Sequence, residues 1–450
     1  MRATQRRSLV LATSAATAFA LILSGCAPAT DTGTGDIPEG CEEFADYQGN
    51  SGTEVEIYTS ITSPEAELFQ ESFVEFEDCT GITINWNGSK EFEAQLPVRV
   101  EGGTAPDIAV FPQPGLLAAM VATDKMIAAP DAVSASVDSN YTEDWKTLGS
   151  VDGTFYAAPL GANVKSFVWY SPKTFADNNW AIPATWDELL ALSDEIAATD
   201  VQPWCAGFES GDATGWVGTD WMEDLLLRFG GGDVYDQWVS NEIPFNDPQI
   251  AEALGKAGEI LKNPEYVGDV PSIATTSFQT GGAGVVDGTC AMHRQASFIG
   301  GILVADQGAT IVTPDDTTVE GGITTFYFPG ASADDKPALG GGEFVGAFAD
   351  RPEVAAVQLY LTTPEWNNKK AALGGWFSAN LGLDTANVAD PVNANAVEIL
   401  QNATTFRFDA SDLMPAAVGA GSFWKEMTAW IAENKSDQAV LDAIEASWPR

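Results

Sequence analysis

The sequence predicts an α/β protein of two domains built on parallel-type sheets flanked by helices, on three observations. The chain has 450 residues, long for one domain and suited to two at roughly 100–200 residues each. Short strand-like apolar runs alternate with stretches of helical periodicity, the pattern of parallel strands joined by right-handed crossover helices. A third observation is the apolar stretch from Phe155 to Tyr170, which reads as chain leaving one domain for the other.

Taken in order, the chain opens with Arg2, Arg6 and Arg7, then an apolar run from Leu9 to Leu23, then Leu23-Ser24-Gly25-Cys26. This order of positive start, apolar core and small-residue cleavage site is an export signal, and it resembles the lipobox of bacterial lipoproteins. The resemblance implies that residues 1–25 are removed, and that Cys26 carries lipid and holds the protein at the outer face of a membrane. Arg6-Arg7 also resembles a twin-arginine signal, which leaves the export route open. Residues 26–50, rich in Gly, Pro, Thr and acids, read as a flexible tether.

Glu54 to Tyr58 alternates as a strand, and the helix behind it repeats Ala66, Phe69, Phe73 and Phe76 at helical spacing. Ile82, Ile84 and Trp86 alternate again. Ile108 to Phe111 suits a strand covered on both faces. In such sheets ligands sit beyond the carboxyl ends of the strands, which puts Ser60, Glu91 and Gln113 on one rim. Thr185 with Glu188 forms a capping box before Leu189, Leu192 and Ile196. Asp247-Pro248 and Pro352 open further helices, Val285 to His293 reads as a buried strand, and two amphipathic helices close the chain.

The formal charge of -43 argues against nucleic acid, whose binding is driven by Lys and Arg on phosphates. Outside Cys26, Cys41, Cys79, Cys205 and Cys290 can form disulfides in an oxidising compartment. Three connectivities are open; pairing by nearest neighbour gives Cys41 with Cys79 and Cys205 with Cys290. No spacing suits structural zinc, and no cofactor is indicated. Phosphate-loop, zinc-protease, nucleophile-elbow and C-x-x-C motifs are missing. The single histidine, His293, reads as structural, leaving acid-base work to carboxylates. A glycosidase needs only two of these, so a lipid-anchored glycoside hydrolase is the rival reading.

Three groups suit a ligand. Trp204 to Trp221 mixes Trp204, Phe208, Glu209, Asp212, Trp216, Asp220 and Trp221 in a Gly-rich segment; aromatic faces cover the C–H patches of sugars while carboxylates and amides take hydroxyls. His293-Arg294-Gln295 follows the predicted buried strand. Gly340-Gly341-Gly342-Glu343 and Gly374-Gly375-Trp376 allow close backbone approach, and Glu343 and Trp376 are favoured as contacts.

With these residues laid out, the chain resembles the carbohydrate-binding lipoproteins of ABC importers, in the broad family of maltose-binding protein. The likeness is carried by Tyr156-Ala157-Ala158-Pro159-Leu160-Gly161-Ala162-Asn163, Thr185-Trp186-Asp187-Glu188-Leu189, Ala283 to Phe298 and Thr363-Pro364-Glu365-Trp366. Gly88 to Glu93, Gln202 to Gly207 and His293 to Phe298 are similar to the alpha-glucoside-binding branch. The resemblance implies a type II periplasmic-binding-protein-like fold of two hinge-joined lobes, expected as 51–160 with about 299–342, and 161–298 with about 343–450. It also implies a non-enzymatic monomer that closes on an oligosaccharide, an alpha-glucoside, and delivers it to membrane permease subunits. By the same resemblance Ser60, Gln113, Asn163, Glu209, Trp216, Arg294 or Gln295, and Trp424 are ligand positions. Glu91 joins them as a residue facing the closing cleft, and Asp212 as a carboxylate of the Trp204 to Trp221 group. Arg294-Gln295-Ala296 stands where maltose-binding protein has an aromatic, and Trp376 is expected to supply that platform instead.

Overall fold

The computed structural model describes residues 37–403 and 405–449; Cys26 and the leader lie outside the described residues. The strands are β1 (Glu54–Thr59), β2 (Thr83–Gly88), β3 (Ile108–Phe111), β4 (Ser150–Val151), β5 (Thr154–Phe155), β6 (Ala157–Val164), β7 (Phe167–Tyr170), β8 (Gln202–Cys205), β9 (Cys290–Arg294), β10 (Thr310–Ile311), β11 (Gly322–Tyr327), β12 (Ala338–Ala347) and β13 (Phe406–Phe408). One sheet runs β13-β12-β3-β1-β2 with β6 also on β12, a second runs β10-β11-β7-β9-β8, and β4 and β5 form a small hairpin.

Each sheet organises one lobe. In the first, Val55 and Ile57 of β1 are fully buried beneath the helix Glu65–Thr80, whose Phe69, Phe73 and Phe76 face the sheet and whose C-terminus stops at Gly81 with φ 70°. Burying each such phenylalanine contributes about 1.5–3 kcal/mol. In the second lobe the helices Trp186–Ala197, Trp216–Phe229 and Pro248–Leu261 share one core with the closing helices Trp424–Ala432 and Asp437–Glu445. Thr185 caps its helix by accepting from the N–H of Glu188 at 3.3 Å. The Glu188 carboxylate accepts instead from Ala184 N, at 2.8 Å.

The sheets are mixed. β1 is parallel to β2 and β3, but β12 is antiparallel to both β3 and β6, and β7 is antiparallel to β9 and β11. The reason is the repeated passage of the chain between lobes. It crosses from β6 to β7 through Lys165 and Ser166 alone, returns between β11 and β12, and leaves again after β13 at Asp409.

Three expectations are corrected here. Strands β10 and β11 belong to the second sheet and β12 to the first, and helices Pro352–Leu361 and Pro364–Ala372 pack on the first core, so 299–342 and 343–450 do not divide between lobes as expected. The tether cannot run to residue 50, because Glu42–Tyr47 is a 3-10 helix with Phe44 and Tyr47 in the first core. Val285 to His293 is a short helix, Ala283–Asp287, followed by β9. The disulfides are Cys41–Cys79 and Cys205–Cys290, with Cα–Cα separations of 5.4 and 5.9 Å.

Candidate functional site

A cavity of about 160 Å³ lies between the lobes. The first lobe presents Ser60 beyond β1, Lys90 beyond β2, Gln113 beyond β3, the helix residues Glu65, Phe69 and Glu93, and Trp376. The second presents Ser210, Trp216, Phe278, Phe298 and Trp424, and the crossing segments contribute Asn163, Lys165, Glu343, Asp409 and Asp412. Of the rim expected from the strand ends, Ser60 and Gln113 therefore form part of the cavity wall, as parallel strand topology directs.

Local geometry aims these side chains. The pairing of β12 with β6 shifts register between Gly342 and Phe344, so Glu343 sits at a bulge, a device that re-aims one side chain. Opposite it, a Cβ on Gly161 would stand 2.4 Å from Glu343 Oε2 and 2.6 Å from Trp376 Nε1. Glycine at 161 is what lets both reach the cavity. Trp376 rests edge-on against Trp366, with centroids 5.3 Å apart, and Trp216 against Phe278 at 5.2 Å. Each ring is thus braced by a neighbouring ring.

Six buried polar atoms on the lining have no partner in the protein: Glu93 Oε2, Gln113 Oε1, Asn163 Oδ1, Asn393 Oδ1, Trp376 Nε1 and Trp424 Nε1. Unsatisfied groups of this kind cost about 1–3 kcal/mol each, and a ligand with both donors and acceptors removes that cost. Burial pushes the carboxyls of Glu93 and Glu343 up to about 7, and that of Glu65, with help from the charge of Glu343, to about 8.

Lys165 is held differently. Its ammonium donates to Asp220 Oδ1 at 2.9 Å and Asp409 Oδ2 at 2.5 Å and lies 5.4 Å over the Trp216 ring. Burial disfavours its charge, but Asp220, Asp409, Asp412 and Glu223 overrule burial and raise its pKa. Asp220, Glu223 and Asp409 bring carboxylate oxygens within 4.8 Å of one another, and Lys165 supplies the countercharge.

Of the expected contacts, Ser60, Gln113, Asn163, Trp216, Glu343, Trp376 and Trp424 line this cavity; Glu91, Glu209, Asp212, Arg294 and Gln295 do not. Arg294 is fully buried behind it, donating to Asp224 Oδ2 at 3.0 Å and lying 3.4 Å from Asp220 Oδ2. Gln295 is turned onto Ala296 N, and Glu209 accepts from Gly211 N on its own loop at 2.9 Å. Glu91 and Asp212 meet at the mouth, where a hydrogen bond and the charge of Asp212 raise the Glu91 carboxyl. Trp204, Phe208 and Trp221 are core, as is His293, whose Nδ1 lies 3.0 Å from Cys205 O and whose pKa burial lowers to about 4.

The missed lining residues had uneven signals. Glu65 and Glu93 read as solvent faces of amphipathic helices. Lys165 was the most discoverable, a lone cation inside the apolar run from Leu160 to Tyr170.

Among the described residues no helix is long and apolar enough to cross a membrane. Residues 60–362 match the family described as bacterial extracellular solute-binding protein. The chain is 37% identical over 405 residues to the osmoprotective compounds-binding protein GgtB of Synechocystis sp., covering 88% of this chain and 93% of GgtB. It is 34% identical over 424 residues to the alpha-glucosides-binding periplasmic protein AglE of Rhizobium meliloti, covering 90% and 89%. Among solved structures, a chitin oligosaccharide binding protein superposes with TM-score 0.73 at 18% identity over 88% of this chain and 98% of that one. A maltose-bound MalE3 of T. maritima gives 0.69 at 14% identity, over 88% and 98%. These likenesses show the two-lobed type II periplasmic-binding-protein fold. The chain belongs to the bacterial extracellular solute-binding proteins and is a substrate-binding component of an ABC importer.

Proposed function

We propose that the cavity binds an alpha-glucoside oligosaccharide, clamps it by hinge closure and releases it chemically unchanged to the permease. The observation that carries this reading is the pairing, in one enclosed space, of rings from both lobes with buried polar atoms that lack partners. Trp216 and Trp376 offer faces for C–H patches, and Gln113, Asn163, Glu343 and Ser60 offer acceptors and donors for hydroxyls. The 34% identity to AglE supports the sugar class. The 37% identity to GgtB makes osmoprotective compounds the second class to try.

In this reading the protein is a monomer without enzymatic activity, tied through lipid on Cys26 to the outer face of the membrane. Titration calorimetry with maltose, maltotriose and trehalose tests the site: saturable binding by wild type and loss in Trp216→Ala is expected, and no binding to any of them removes the proposal. Product analysis after long incubation with excess maltotriose tests the other half; glucose or maltose appearing in proportion to protein would make it a hydrolase.

A further inference from the structure

We infer that the cavity sorts glycosides by charge, taking neutral and amine-bearing sugars and turning away those with a carboxylate or phosphate, with Glu65, Glu93 and Glu343 setting the rule. The inference rests on the sugar-binding reading and extends it to the class of sugar.

The lining carries five carboxyl groups, Glu65, Glu93, Glu343, Asp409 and Asp412, against two cations, Lys90 and Lys165. Lys165 is committed to Asp220 and Asp409. Lys90 stands at the mouth, its backbone oxygen against Gly211 beside Glu91 and Asp212. The two buried arginines nearby, Arg228 and Arg294, are tied to Asp224 and lie outside the lining. Lys370 is buried behind the cavity wall, 4.5 Å over the Phe69 ring and 5.3 Å over the Trp376 ring. An anionic group entering the cavity therefore meets five carboxyls in a low-dielectric space, and the one lining cation outside an ion pair among the described residues is Lys90 at its mouth.

The unpartnered atoms point the same way independently. Gln113 Nε2 donates to Glu93 Oε1 at 3.2 Å, which leaves Gln113 Oε1 as a bare acceptor together with Glu93 Oε2, Asn163 Oδ1 and Asn393 Oδ1. Among the buried unpartnered atoms on the lining, the donors are the indole nitrogens of Trp376 and Trp424. The complementary ligand is rich in donors, as hydroxyls and ammonium groups are and carboxylates are not. Burial keeps the Glu93 and Glu343 carboxyls near 7 and Glu65 near 8, opposed by the Gln113 hydrogen bond at Glu93, by Lys165 and Lys370 at Glu343 and by Lys370 at Glu65. A cationic ligand would ionise them, and an anionic one would force them protonated.

The test is calorimetry with maltose and trehalose and with the 6-amino-6-deoxy and 6-carboxylate counterpart of each. For whichever skeleton binds, the amine should fall within about tenfold of the neutral sugar and the carboxylate about a hundredfold or more below it. Raising the pH from 6 to 8 should widen that gap, and Glu343→Gln and Glu65→Gln should each narrow it by about tenfold. A carboxylate sugar binding as tightly as the neutral one, or an amine binding a hundredfold more weakly, overturns the inference and leaves the sugar reading standing. Failure of all six compounds overturns both.

Discussion

The two walls of the cleft treat buried charge in opposite ways. On the first lobe's side, among the described residues, Glu65, Glu93 and Glu343 have no ion-pair partner within 4.0 Å, and Lys370, 1% exposed, sits over aromatic rings, where burial outweighs the more distant charges of Glu65 and Glu343 and lowers its pKa to about 8. On the second lobe's side Lys165 is shared by Asp220 and Asp409, Arg228 and Arg294 both hold Asp224, and the Glu223 carboxylate accepts from the N–H of Ala410 and Ser411. A paired interior charge is a fixed part of the architecture, expensive to break from one side. An unpaired one adjusts its protonation to what stands beside it. The second wall is thus a rigid seat and the first a chemically adjustable face.

The largest expected effect lies in the paired wall. Lys165→Met leaves Asp409 without its cation and Asp220 with Arg294 alone, and should cost about 3–5 kcal/mol in urea unfolding. Lys370→Met removes a cation that acts on Glu65 and Glu343 without pairing directly with either, carboxyls that can take up a proton in its place, and should change stability by about 1 kcal/mol or less. Equal losses in the two variants would erase the contrast.

Next come the rings that line the cavity from the two lobes. Trp216→Ala and Trp376→Ala should each weaken sugar binding by about ten- to a hundredfold, the worth of about 1.5–3 kcal/mol of lost apolar burial. An effect confined to one of them would mean that a single wall does the stacking.

The walls also touch directly. A Cβ on Gly301, in the helix Ile299–Gln307 of the second lobe, would stand 2.9 Å from the Cα of Gly375, where φ is 67°. Gly301→Val should hold the lobes apart, raising the radius of gyration in solution scattering and weakening affinity by about tenfold. Unchanged scattering and affinity would show that the helix yields instead.

The smallest effect is in pH dependence. Glu65, Glu93 and Glu343 have folded pKa values above the ordinary 4.5, so the folded chain binds more protons than the unfolded one between about pH 5 and 8, and stability falls as pH rises through that window. Because Glu343 keeps some contact with solvent, Glu343→Gln should flatten the fall by only about 1 kcal/mol. A slope identical to that of wild type at pH 5.5 and 8 would contradict the raised carboxyl.

How far all this could be read beforehand differs from one residue to the next. Glu54–Thr59 and Ile108–Phe111 announce themselves through periodicity, and the ligand rim follows from parallel topology, so Ser60 and Gln113 were within reach of pattern alone. Arg294 was not, because its partners Asp220 and Asp224 lie on a helix whose inward face is invisible until the helix is placed. The division of residues 299–450 between lobes failed for a related reason. Neither the two-residue β10 nor the Gly-rich β12 stands out as a strand by periodicity, nothing in the pattern says which sheet each joins, and the chain changes lobe between them.

The bridge from Cys41 to Cys79, with Phe44 and Tyr47 packed beside it, rivets the N-terminal approach of the chain to the helix Glu65–Thr80. Under the proposed lipid anchor on Cys26, a leash attached upstream would pull on the β1–β2–β3 half alone. That half would then be the mast and the other half the boom, and the proposed closure would swing only the unmoored lobe.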